Sequence, residues 1–564
     1  MGISKKGKIV SFIVLIALVL HIYAGLAFIK KSSCTYDETV HLSSGYSHIA
    51  GGKYIMNIMD HPPFSEMLSA APLFFYKLNS FMSHPYFLAK APYHYGDLFV
   101  FNNTKSARTI VNTARIFTFL IWTLLFSIFI FFFSKQLHSF ESAAFALIIF
   151  AFMPIFISNN ALITTDSAAA LFYFISFYFG AMASLSLARE ISRNKMFIYI
   201  AAAGFFTGLA MASKFSMVII APILIGIWGI DFFLIRKSDF KKFFIFSGVY
   251  ILLMVFTLAL VYRFDLSLYM EGLLSTLKRV NTGRPSFAWG HYSMNGVLWY
   301  FPLTFLIKTP VFVLFSAVLG FITIALKPQK KYIWIIIPFI FYLLISFTSR
   351  LQIGIRHILP LMPFICIIAS IGLAEFYKNK KVALALVFSI ILSSVFLFKT
   401  HPFYLSYFNS LIGGPDNGYK YLADSNVDWG QDIPELSKYL KANGNPPIIF
   451  SYFGVSRPEY YGIKYIPLGI ISNIELKGTN EDLCKMDKVL FAISVTNLQS
   501  VYYRNKDTFN WLKNIKPVFR AGHSIFLYDL TGNKDGINRL VKFLEESSKG
   551  YKVKCLLKRY NKGN

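Results

Sequence analysis

The sequence predicts a polytopic α-helical membrane protein carrying a soluble α/β appendage at its C-terminal end. Three observations predict it. Apolar residues make up 55% of the 564 and charged residues only 15%, whereas roughly a quarter of a soluble chain is charged. Apolar runs of about 20 residues, the length that crosses roughly 30 Å of hydrocarbon, recur as far as residue 400. Beyond that point short strand-like runs alternate with helix-like ones.

The runs place spans at 9–29, 110–134, 143–160, 167–188, 196–213, 215–234, 243–263, 299–326, 332–348, 355–376 and 382–399, about eleven in all. Alternate connections are short and basic: Lys5-Lys6-Lys8, Lys135 to His138, Arg189 to Lys195, Arg236 to Lys242, Lys327 to Lys331, and Lys378 to Lys381. Basic loops stay in the cytoplasm, which predicts an inside N-terminus and an outside C-terminus in the cell membrane. The first run is long for the apolar part of a signal peptide, and no convincing small-residue cleavage site follows it.

Two domains are expected. Residues 1–399 form the membrane part, with large outer loops at 31–109 and 264–298, and residues 400–564 form the extracytoplasmic α/β part. In the first loop Asp60-His61-Pro62-Pro63 reads as a helix start with Asp60 as cap. The apolar helix expected over 62–78 is too short to span and should lie in the interface. In the tail, 447–452, 489–495 and 524–530 read as strands, and 432–442, 505–514 and 537–547 as helices.

The net charge of +28 fits topology and contacts with anionic membrane lipids, and no nucleic-acid-binding motif accompanies it. Cys34, Cys484 and Cys555 would face the oxidising side and Cys366 lies in a span; spacing leaves a Cys484–Cys555 bridge and free thiols both open. No zinc spacing occurs, so no metal site is expected, although a divalent cation is compatible with the reaction considered below.

The candidate chemistry starts at Asp37-Glu38, two acids at the outer mouth of the first span, where ionised groups need solvation or pairing. Adjacent residues point about 100° apart on a helix, so the two cannot face each other like a glycosidase pair. One can accept a hydroxyl proton while the other orients a neighbour. Asp166 lies in the second outer loop, where it could also cap the fourth span. Lys214, Arg284 and Arg356 reach the same face and would stabilise a phosphate leaving group, although Lys214 could equally snorkel and Arg356-His357 could meet headgroups. His61 and His357 complete the candidate residues, each also readable as an ordinary loop or interfacial histidine.

In order and topology these motifs resemble the polytopic glycosyltransferases of the GT-C fold, in particular the protein O-mannosyltransferase-like and aminoarabinose transferase-like groups. The matching segments are Tyr36-Asp37-Glu38, Asp60-His61-Pro62-Pro63, Thr165-Asp166-Ser167 and Ala212-Ser213-Lys214-Phe215, spread loosely over residues 1–400. Asn281-Thr282-Gly283-Arg284, 401–409 and Asp424-Ser425-Asn426-Val427-Asp428-Trp429-Gly430-Gln431-Asp432 are similar to prokaryotic phospholipid-carrier-dependent glycosyltransferases. The tail is unlike the sugar-binding repeats of the eukaryotic mannosyltransferases.

The resemblance implies an inverting transfer of a sugar from a polyprenyl-phosphate carrier to a hydroxyl acceptor on protein, lipid or glycan. Asp37 would be the general base, Glu38 an orienting or acceptor-binding group and Asp166 a second polar positioner, with Lys214, Arg284 and Arg356 on the donor phosphate. The absence of a Gly-rich nucleotide loop independently suits a lipid-linked donor. The alternatives are a lipid-linked glycan polymerase or ligase and a transporter or flippase. A transporter would place its polar groups near the bilayer midplane, often in broken helices of inverted repeats.

Overall fold

The computed structural model describes residues 5–188, 193–235, 240–482 and 485–546. Among them nine helices are long and apolar enough to cross a membrane, or eleven if two bent pairs each count as a span. Every one of the eleven expected spans has its counterpart in this set. The spans Asp166–Leu187 and Ile355–Phe376 are the most enclosed, whereas Lys380–Thr400 lies at the periphery. Burial on all sides is the signature of a central helix, so the first two form the middle of the bundle.

The expected span 299–326 differs from a straight crossing. It consists of Tyr300–Lys308 and Val311–Leu326, bent by 114°. Pro310 provides the break because its ring and missing N–H end a helix. The turn brings Lys308 Nζ to the carbonyls of Leu405 and Asn426 in the tail.

The outer loops are more structured than the sequence suggests. α1 (Lys5–Lys31) leads through a turn into α2 (Glu38–Gly51), which packs on α3 (Pro63–Ala70). The approach is close: a Cβ on Gly45 would overlap the Glu66 carbonyl. The apolar helix expected over 62–78 stops at Ala70 and continues as a 3-10 turn, Ala71–Phe75, opened by Pro72. Pro62 rather than Asp60 occupies the cap position of α3, since the Asp60 carboxylate is taken by Arg279. The outer loop over 264–298 holds a helix, Leu266–Thr282, and a hairpin of β1 (Ser286–Ala288) and β2 (His291–Ser293), with Ala288 opposite His291.

The tail carries a five-stranded sheet made of β3 (Ile448–Ser451), β4 (Tyr465–Pro467), β5 (Leu490–Ser494), β6 (Phe519–Ala521) and β7 (Ile525–Asp529). Its order is β4-β3-β5-β7-β6. β3 runs parallel to β4 and β5, whereas β7 runs antiparallel to β5 and β6. Helices Ile433–Ala442 and Lys534–Glu546 occupy two of the expected places. The helix expected over 505–514 is only a 3-10 turn, Asn510–Asn514. Cys34 and Cys366 are buried free thiols; the Cys484–Cys555 pairing falls on residues outside those described.

Candidate active site

The chain rises from α1 into Thr35-Tyr36-Asp37-Glu38, and the first turn of α2 sends the two acids in different directions. Glu38 is fully buried. Its Oε1 accepts from Arg115 Nε at 2.8 Å and from the Ile163 N–H at 2.9 Å. Its Oε2 accepts from Arg115 Nη2 at 2.5 Å and from the Thr35 N–H and hydroxyl at 2.8 and 2.9 Å. Arg115 also donates to the carbonyls of Ser32 and Ser33. The pair therefore clamps the start of α2, the Ala107–Leu137 helix and the second outer loop together. Of the two expected roles for Glu38, acceptor binding does not fit, because the carboxylate is sealed in and both its oxygens are hydrogen-bonded within the protein.

Asp37 sits at the cap position of α2 without making a capping bond, so its carboxylate is free for other partners. Arg356 Nη1 lies 3.3 Å from Asp37 Oδ2 and 3.3 Å from Asp166 Oδ2. Lys214 Nζ lies 2.5 Å from Asp166 Oδ1. Four of the residues singled out in the sequence thus form one chain, Asp37–Arg356–Asp166–Lys214, drawn from four separate segments. Asp166 opens the helix Asp166–Ala188, but its carboxylate serves the two cations rather than a cap. It is nearly buried while Asp37 keeps 23% of its side chain exposed. Asp37 is the reachable carboxylate.

The tail holds Arg356 in place. The guanidinium lies 4.1 Å over the Trp429 ring, and its Nε donates to Ser425 Oγ at 3.2 Å. Gly354 allows this approach, since a Cβ there would strike the Ser425 hydroxyl. Asn426 accepts from the Ile355 N–H and donates to the Tyr300 hydroxyl. The backbone of the same segment bonds to the first loop: Ser33 N–H to Gln431 O at 2.8 Å and Tyr36 N–H to Trp429 O at 3.0 Å.

The remaining candidates border this chain. Arg284 stands 5.4 Å over the Tyr502 ring, with Asp424 and Asp37 close enough to act on its charge. His357 follows Arg356, and its Nε2 is buried without a hydrogen bond. His61 packs edge-on against His41 with ring centroids 4.7 Å apart. Burial, together with His41, Arg279 and Lys214, holds His61 well below the usual histidine pKa, so it is neutral. Among the described residues no group of three or more His, Cys, Asp or Glu is arranged to hold a metal ion.

Sequence reasoning missed Arg115 and the pair His41–Glu66. Arg115 had a signal: an arginine well inside an apolar helix needs a buried partner. His41 had one too, four residues after Asp37 and hence on the same helix face.

Residues 109–262 match the family model described as dolichyl-phosphate-mannose-protein mannosyltransferase. No curated protein matches the chain. Among solved structures, ArnT from Cupriavidus metallidurans bound to undecaprenyl phosphate is similar at 12% identity and a TM-score of 0.50, over 93% of this chain and 98% of that one. The same protein in its apo state gives 11% identity and the same TM-score and coverage. The apo oligosaccharyltransferase of Archaeoglobus fulgidus gives 11% identity and a TM-score of 0.46, over 76% of this chain and 58% of that one. The chain is thus a multi-pass α-helical membrane protein with the GT-C fold, bearing a small C-terminal sheet.

Proposed function

We propose that the protein is an inverting glycosyltransferase that moves a sugar from a polyprenyl-phosphate carrier to a hydroxyl acceptor at the outer membrane face. The observation that carries the reading is the chain Asp37–Arg356–Asp166–Lys214, a reachable carboxylate beside two cations that share one buried carboxylate. At rest Asp166 offsets one of the two charges on Lys214 and Arg356. An arriving phosphate competes for the same two cations, and charge-assisted hydrogen bonds of this kind are roughly twice as strong as neutral ones. Arg284 would complete the phosphate contacts.

In the reaction Asp37 takes the proton of the acceptor hydroxyl as its oxygen attacks the anomeric carbon. The bond from that carbon to the phosphate oxygen breaks, and the electron pair leaves with the phosphate. Side chains supply the positive charge this requires, so a divalent cation is compatible with the reaction but not required. The lipid tail would lie between spans; a carrier of this kind is supported by the undecaprenyl phosphate bound to ArnT from Cupriavidus metallidurans. The basic alternate loops support a cytoplasmic N-terminus and a tail on the outer side. No observation favours a polymerase, ligase or transporter over this reading.

Membranes containing the protein, supplied with radiolabelled polyprenyl-phosphate sugars, test it. Transfer of label from at least one of them to a hydroxyl acceptor is expected. Absence of transfer from all of them, with the protein folded and inserted, would overturn the reading.

A further inference from the structure

Beside the ion chain lies a second polar group that the reading above does not use. His41 is one turn along α2 from Asp37, with its N–H bonded to the Asp37 carbonyl at 3.0 Å. Its Nδ1 meets Glu66 Oε1 at 2.9 Å. Glu66 is buried, accepts from Asn57 Nδ2 at 2.6 Å and has His48 Nε2 3.4 Å from its other oxygen. His48 Nε2 and Glu66 Oε2 make no hydrogen bond, so of the two histidines beside Glu66 it is His41 that is hydrogen-bonded to it. Among the described residues His41 Nε2 has no partner. Three carboxylates act on it: Glu66 from α3, Asp37 at the cap of α2 and Asp166 at the head of the fourth span, while the His61 ring packs against it and itself feels Lys214 and Arg279.

A buried histidine facing a carboxylate is held in one orientation, with Nδ1–H toward the acid and Nε2 left to donate or accept. Burial opposes the imidazolium, but Glu66, Asp37 and Asp166 outweigh it and hold His41 above the usual histidine pKa. His61 cannot share that task because it is neutral.

Resting on the transfer proposed above, we propose that His41 is the group that meets the charge appearing on the phosphate as it leaves. The sugar-bearing donor is a phosphodiester with one negative charge. When the anomeric C–O bond breaks, the electron pair stays on the phosphate oxygen and the product is a monoester with a second charge. The acceptor proton goes to Asp37 and from there to water; the His41 imidazolium keeps its own proton and donates a hydrogen bond from Nε2 to the new oxyanion. Lys214 and Arg356 meet the charge present from the start. A contact made only with the developing charge favours the transition state over the bound donor and so raises the rate.

Undecaprenyl phosphate, itself such a monoester with a second pKa near 6, is the probe. Its affinity is measured against pH for the unmodified protein, His41→Gln and Glu66→Gln. The unmodified protein should lose affinity by up to about tenfold per pH unit above the His41 pKa, because binding is linked to one proton. His41→Gln should bind more weakly and lack that fall. Glu66→Gln should move the fall to lower pH, since removing the carboxylate weakens the imidazolium. An unaltered fall in His41→Gln would overturn the inference alone. Failure of the unmodified, folded protein to bind undecaprenyl phosphate at any pH would instead overturn the lipid-phosphate reading beneath it.

Discussion

Asp37 and Glu38 are neighbours in sequence and should be opposites in experiment. Glu38→Gln keeps size but turns one acceptor oxygen into an NH2 donor. If the NH2 replaces Oε1, Arg115 Nε and the Ile163 N–H lose their acceptor; if it replaces Oε2, Arg115 Nη2 and both Thr35 donors do. Either way at least two buried donors are orphaned, at about 1–3 kcal/mol each. The Arg115 charge also loses its counter-ion, and breaking a buried pair costs about 3–5 kcal/mol in total. Asp37 makes one 3.3 Å contact and is partly exposed, so Asp37→Asn should change stability by less than about 1 kcal/mol. Thermal unfolding in detergent, followed by tryptophan fluorescence, compares the two. The account expects a large drop in Tm for Glu38→Gln and a small one for Asp37→Asn. Equal drops, or a larger drop for Asp37→Asn, would refute the clamp.

Other outcomes follow from the same contacts. Arg356→Lys should weaken undecaprenyl phosphate binding, because an ammonium cannot span Asp37, Asp166 and Ser425 as the guanidinium fork does; unchanged affinity would leave Arg356 as a headgroup anchor. Trp429→Leu should cost about 0.5–2 kcal/mol in the same binding assay by removing the cation–π platform, and no change there would leave the tail out of the phosphate site. Burial pushes the Asp428 carboxyl up to about 7, against hydrogen bonds from Thr496 and Gly430. Its folded pKa is thus raised above the unfolded value. The stability this contributes is complete below about pH 4, declines as pH rises and is lost above about 7. Unfolding of the protein at about pH 5 and 8 checks this, with Asp428→Asn expected to flatten the difference.

Much of this site was legible in the sequence because membrane physics makes charge expensive. Asp37, Asp166, Lys214 and Arg356 stood out as ionisable residues at span ends, and topology put them on one face. Nothing local distinguished Asp37 from Glu38. Their roles depend on Arg115 and Ile163, far away in the chain. The tail strands with long apolar runs were readable, but β4 and β6 were not, since three-residue strands carry too little periodicity. The helix expected over 505–514 failed because tertiary context overrides propensity in so short a segment. The bend at Pro310 was not read from the apolar run 299–326, because hydropathy does not register a break between two apolar helices. Segment 424–432 was visible only as a motif; its part in holding Arg356 depends on packing between distant segments.

The most direct test of the central claim is sugar transfer by purified Asp37→Asn in lipid vesicles, with undecaprenyl phosphate binding measured on the same sample. General base catalysis is typically worth about 10²–10⁴-fold. The account predicts transfer lowered by that order while lipid-phosphate binding and folding are kept. Transfer near the unmodified rate would contradict it.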